Sequence, residues 1–221
     1  MATETITVSA FRWVPPFAQG LVRDLRVRWA LEEAGVPYAE RLISSDDQRT
    51  PSYRKLQPFG QVPAVEQGDL ALFESGALVL HVAEQHDVLM PLDEIARAHV
   101  KTWMFAALNT IEPPIMMVNV MDLQPGGVTE GQRSLREHVV KMIAGRLDDL
   151  ATVLGDRENL VGGRFSAADL LMTSVLRILR NTDLVSSRPV LEAYRSRSEA
   201  RPAFYRALAA QMAAFEKNAP H

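Results

Sequence analysis

Every segment of this chain that reads as a β-strand lies before residue 87, and every long periodic segment after it reads as helix. That asymmetry constrains the fold more than any single motif does. Residues 5–11, "TITVSAF", are short and β-branched, as strands are. "RWVPPFAQG" follows as a loop, because two prolines and a glycine interrupt any regular element. Residues 21–34, "LVRDLRVRWALEEA", carry apolar residues near helical spacing, and Gly35 supplies the stop. "VPYAERLIS" is a second strand, and "SSDDQRTPSYRKLQPFG" a long polar connection. "VPAVEQ", a Gly-Asp turn and "LALFES" form a hairpin, after which "SGALVLHVAEQH" is helical. Strand, helix, strand requires a parallel pair with a right-handed crossover, to which the hairpin adds antiparallel strands.

Beyond residue 87 the pattern is helical throughout. "DEIARAHVKTWMFAALNTIEPPIMMVNVMD" is a long helix in which "EPP" marks a break or kink. "TEGQRSLREHVVKMIAGRLDDLATVLG" is a second amphipathic helix. "SAADLLMTSVLRILRN" is apolar on most of its surface and so is expected at the centre. Two further helices, "PVLEAYRSRSEA" and "PAFYRALAAQMAAFEK", each begin with Pro, where a missing N–H costs nothing. The expected organisation is an α/β domain at 1–87, a linker at 88–95 and an all-helical domain at 96–221.

Charge and composition exclude several functions. With 24 Lys and Arg against 27 Asp and Glu, the net charge of −3 gives nucleic acid no clustered basic surface to hold. There is no cysteine, so disulfides, thiolate metal sites and attack by a protein thiol are all ruled out. The five histidines share no metal-ligand spacing, and no metal is expected. "MATETITVSAF" lacks a basic region followed by an apolar run, and no stretch approaches the ~20 apolar residues that span a bilayer. A cytoplasmic protein without a membrane partner is the expectation.

Three local features stand out. Pro63 sits among β-type residues, where its missing N–H suits only an edge or a special turn. Glu74 and Ser75 stand just ahead of a helix, where polar groups cap the first turn but the same backbone donors also hold anions. Ser166 and Asp169 form S-x-x-D, with Phe165 before the cap and Leu170 at the fourth helical position. That is a capping box with a hydrophobic staple, a device that starts a helix.

A small β-α-β-β-β-α domain containing "GQVPAVEQGDLALFES", followed by an all-helical domain, resembles the soluble glutathione transferases. "RWALEEAG" and "WMFAALNTIEPP" look like bacterial members of that family. The resemblance implies a thioredoxin-like first domain that binds glutathione as cosubstrate and a helical domain that contributes the electrophile site. It further implies a cis bond at Val62–Pro63, which leaves the Val62 main chain open to pair with the tripeptide. Gln61 matches the position that adds a side-chain hydrogen bond. Ser75 would receive the γ-glutamyl α-carboxylate and Glu74 would face its ammonium, while Lys55 either approaches the glycyl carboxylate or is simply solvated. Phe17, Trp103, Met104 and Met116 are the matching substrate-pocket positions, with core packing the alternative for the last three. A homodimer keyed by Phe59 is also implied.

One departure concerns the thiol. Family members place a Tyr, Ser or Cys beside the glutathione sulfur. Counting back from "RWALEEAG" puts those positions on Phe17 and Leu21, and counting forward from the first strand lands near Val14. None carries a hydroxyl. Trp13 could donate its indole N–H, Arg12 or Arg23 could supply charge, and Ser9 is the nearest hydroxyl although it lies within the strand. Conjugation is the expected activity, with glutathione-dependent peroxide reduction as a variant and detoxification as the role. The alternative is a glutathione- or ligand-binding module that has lost thiol activation.

Overall fold

The computed structural model describes residues 4–220 and contains two compact units, Met1–Leu92 with Glu199–His221, and Asp93–Ser198. The first holds a four-stranded sheet of β1 (Ile6–Phe11), β2 (Tyr38–Ile43), β3 (Ala64–Gln67) and β4 (Leu70–Phe73) in the order β2-β1-β3-β4. β1 and β2 are parallel, with Ile6 opposite Tyr38, and the two remaining pairings are antiparallel. This is the expected mixed topology. The β3–β4 turn uses Gly68 at φ +58 as its first central residue, a position that an L side chain would strain.

Helix α1 (Asp24–Ala34) crosses over between the parallel strands. It ends where Gly35 turns left-handed at φ +67 and lets the Val36 N–H return to the Leu31 carbonyl at 2.9 Å. Val27, Trp29 and Leu31 are fully buried and join Val8, Leu78 and Val79 in the core. Helix α3 (Ser75–Glu84) packs on α1.

The polar stretch expected as a bare connection contains helix α2 (Pro51–Leu56). Its signal was present but short. The Thr50 hydroxyl accepts from the Tyr53 N–H at 3.3 Å and Pro51 fills the first turn, a cap and a pre-set φ in two residues.

The C-terminal helix also departs from expectation. α9 (Pro202–Lys217) belongs to the first unit, where it lies along α1. Trp29 meets Phe204 edge-on at 4.8 Å, Arg201 grips Glu33 with two hydrogen bonds of 2.6 and 2.8 Å, and Arg206 bonds Glu32 at 2.6 Å. Gln211 donates to the buried Asp24 at 2.8 Å. Helical periodicity reports which face of α9 is apolar but not which neighbour covers it.

The second unit contains α4 (Glu94–Phe105), α5 (Glu112–Leu123), α6 (Glu130–Leu154), α7 (Ala167–Leu176) and α8 (Pro189–Glu199). The break expected at "EPP" takes the form of a π-helical segment at Ala106–Ile111, after which Pro113 and Pro114 occupy the first turn of α5. Wide turns of this kind absorb a local misfit without ending the helix. α7 is almost wholly buried, as its composition requires. No helix among the described residues is long and apolar enough to cross a membrane.

Candidate glutathione site

The peptide bond between Val62 and Pro63 is cis. Around it, the chain is held by side chains from both sides. Gln48 Nε2 donates to the Gly60 carbonyl at 2.7 Å, and Gln57 Oε1 accepts from the Phe59 N–H at 2.7 Å. Tyr53 of α2 donates its hydroxyl to the Gln61 carbonyl at 2.7 Å. Ser9 of β1 accepts from the Ala64 N–H at 2.6 Å and lies 2.9 Å from the Tyr53 hydroxyl.

These contacts determine the proton positions. The Gln61 carbonyl can only accept, so the Tyr53 proton goes there, and Ser9 must then donate to Tyr53. Burial raises the Tyr53 pKa above its ordinary value, which keeps this donor protonated at neutral pH. A directed chain, Ala64 N–H to Ser9 to Tyr53 to Gln61 carbonyl, thus anchors the residues on either side of Val62 and Pro63. Ser9, a candidate catalytic hydroxyl in the sequence, is buried with its oxygen engaged in that chain.

Glu74 directly follows β4, and Ser75 begins α3. Among the described residues Glu74 is the one non-glycine with positive φ, at φ 70 and ψ 112. A side chain is seldom held there without a local reason. Glu74 is exposed and its side chain makes no capping bond to α3. Ser75 is 6% exposed at the first position of that helix, and Arg26 Nη1 donates to its Oγ at 3.3 Å. The helix N-terminus therefore has its donors and dipole available to an anion. Gln61 and Lys55 are exposed, on the loop and on α2, whereas the Val62 side chain is buried.

The loop before α1 is longer than its sequence pattern suggests. α1 begins at Asp24 rather than Leu21, so residues 12–23 form an extended loop with successive tight turns at Pro15–Leu21. Arg12 is exposed and lies 3.5 Å from Asp47, whose pKa is lowered chiefly by hydrogen bonds from Ser44 and further by Arg12. Trp13 is half-buried, and Phe17 is 54% exposed. In the second unit, Trp103 on α4 and Met116 on α5 are half-buried, while Met104 is 4% exposed and belongs to the helical core. Sequence reasoning missed Tyr53 and Arg26. Their roles depend on partners 8 and 49 residues away, which no local pattern encodes.

The sequence profile of the glutathione S-transferase N-terminal domain matches residues 19–84, and that of the C-terminal domain matches residues 96–202. Glutathione S-transferase 4 of Zea mays is 31% identical over 212 residues, which cover 92% of each chain. Glutathione S-transferase F14 of Arabidopsis thaliana is 34% identical over 161 residues, covering 67% of this chain and 63% of that relative. A solved glutathione transferase family member from Pseudomonas fluorescens pf-5, with two glutathione bound, matches with a TM-score of 0.81 at 26% identity, covering 93% of this chain and 92% of that one. With both halves of the chain matched in order and a relative aligned almost end to end, this protein belongs to the glutathione S-transferase family.

Proposed function

We propose that this protein binds glutathione along Gln61, Val62 and Pro63, with its γ-glutamyl end at Glu74 and Ser75, and joins the glutathione sulfur to a hydrophobic electrophile. The carrying observation is the pairing of an anchored, open loop at Val62 with an α3 N-terminus that has no side-chain cap. An extended peptide can pair with the Val62 main chain as an added strand. Its α-carboxylate meets the first turn of α3 and its ammonium faces Glu74. Phe17, exposed on the loop before α1, is the proposed contact for the electrophile.

With an aryl halide the thiolate attacks the ring carbon, a C–S bond forms, the halide leaves and the thiol proton passes to water. A thiol near its ordinary pKa of about 8.5 is only a few per cent ionised at neutral pH. Lowering that value falls to the Arg12 charge, the Trp13 indole N–H or backbone donors at the start of α1. The missing hydroxyl at Val14, Phe17 and Leu21 favours one competing reading, a glutathione-binding module without thiol activation. Two measurements separate the readings. Ultraviolet titration of bound glutathione should find thiolate near pH 7, and turnover should appear with aryl halides, enals or hydroperoxides. Tight binding with an unshifted thiol and no turnover would reject the enzyme.

Tyr53→Phe tests the anchored loop. It removes the donor to Gln61 and the acceptor for Ser9, a loss of about 1–3 kcal/mol in stability. The KM for glutathione should rise about three- to tenfold with kcat nearly unchanged, since the residue positions the binding segment and touches no reacting atom. Unchanged KM in a folded variant would remove Tyr53 from the site.

A cytoplasmic homodimer completes the proposal. Phe59 projects from the loop at 64% exposure, backed by Phe73 at 6.1 Å, and a ring left this open fits a socket in a second copy. Phe59→Glu should convert the dimer to monomer in sedimentation velocity. An unchanged mass, or a monomeric wild type, would sink this assignment.

A further inference from the structure

Helix α9 reaches the start of α1 through one buried amide. Gln211 is 1% exposed, and its Nε2 donates to the Asp24 carboxylate at 2.8 Å and to the Val22 carbonyl at 3.2 Å, which uses both of its protons. The Val22 and Arg23 carbonyls also accept from the Leu25 and Arg26 N–H groups, at 3.0 and 3.1 Å. The donors that α1 can offer to an anion therefore precede Leu25, in the stretch that Gln211 holds. The charge there is accounted for. Asp24 is fully buried, its other oxygen accepts from Arg28 Nε at 2.7 Å, and Arg28 in turn pairs with Glu40 on β2. Gln211 engages the carboxylate oxygen that Arg28 leaves open. Held by Arg28 alone, that carboxylate can turn toward the first N–H groups of α1 and take the place of a second anion.

We infer that Gln211 is a positioning residue for thiolate formation, holding residues 22–24 and keeping the Asp24 carboxylate off the α1 donors that receive the glutathione sulfur. The inference rests on the reading of the start of α1 as the place where the thiol ionises. It goes further by giving a part in that step to a side chain of the C-terminal helix, 187 positions along the chain from Asp24, which touches no reacting atom.

Two variants of the full chain test it. Gln211→Met keeps the length of the side chain and loses both hydrogen bonds. Gln211→Asn keeps the amide one carbon short, which preserves the test if Gln211→Met fails to fold. Ultraviolet titration of bound glutathione reads the thiolate directly. On the acid limb of that titration Gln211→Met should hold about tenfold less thiolate than wild type, and Gln211→Asn about threefold less. With an aryl halide and saturating glutathione, kcat should fall by the same factors on the acid limb. It should recover to within about twofold of wild type above about pH 9, where a thiol ionises unaided. The KM for glutathione should change less than about twofold, because the peptide-binding loop is untouched. A loss of kcat by one factor at every pH, or an unchanged titration in the folded variants, overturns the role of Gln211. Wild type that binds glutathione without thiolate near neutral pH overturns the activation reading instead, so the two failures are distinguishable.

Discussion

Asp169→Ala is expected to destabilise the helical unit by about 4 kcal/mol, a large share of a typical domain's total stability. Asp169 is buried and accepts from four donors: the Leu160 N–H at 2.8 Å, the Ser166 N–H at 2.9 Å, the Ser166 hydroxyl at 2.8 Å and the Tyr194 hydroxyl at 3.0 Å. Burial raises its pKa, and the four donors offset only part of that push. Alanine saves the cost of burying the carboxyl group but leaves two backbone N–H groups and two hydroxyls unpaired in the core. Each unpaired buried group costs about 1–3 kcal/mol, so the loss outweighs the saving. The residue is also the reciprocal half of the capping box that starts α7, and it ties that helix to α8 through Tyr194. Urea unfolding followed by circular dichroism measures the loss. Tyr194→Phe, which removes one donor without stranding a backbone group, should cost no more than about 1.5 kcal/mol. If the two substitutions prove equally mild, Asp169 is not the centre of the network.

Phe204→Ala should cost the first unit about 3–5 kcal/mol, through a cavity beside Trp29. Both rings are buried, and their edge-on contact at 4.8 Å adds to the area they hide. The polar clasps around them do not replace this contact. Arg201–Glu33 and Arg206–Glu32 are partly exposed ion pairs, worth less than about 1 kcal/mol each. Arg201→Ala should therefore lower the thermal midpoint far less than Phe204→Ala. Differential scanning calorimetry compares them, and the reverse order would assign the docking of α9 to charge. Folded Phe204→Ala protein should still bind glutathione, because the damage lies away from Val62 and Ser75.

Much of the candidate site was legible because its signals are local. Pro63 within a strand pattern, a Glu-Ser pair ahead of a helix and S-x-x-D before an apolar run each report through spacing of a few residues. The topology followed from the same source, since alternation, helical period and Gly-Asp at a turn are all short-range. The helix at Pro51–Leu56 was lost inside a polar stretch. Its Thr-Pro start was visible, but six residues without a repeating apolar face carry little period. The length of the loop before α1 was ambiguous for a related reason. Leu21, Leu25 and Trp29 keep helical spacing across a helix start that lies at Asp24.

The sequence by itself determined the order of the strands, the helical character after residue 87, the cap of α7 and the absence of any protein thiol. These follow from chain chemistry acting over one or two turns. Only the tertiary structure decided that Ser9 anchors Ala64, that Tyr53 holds Gln61, that Arg26 lies behind Ser75 and that α9 covers Trp29. Each of those joins residues far apart in the chain or in different elements. Burial and hydrogen-bond demand select such partners only once the whole unit has closed around them.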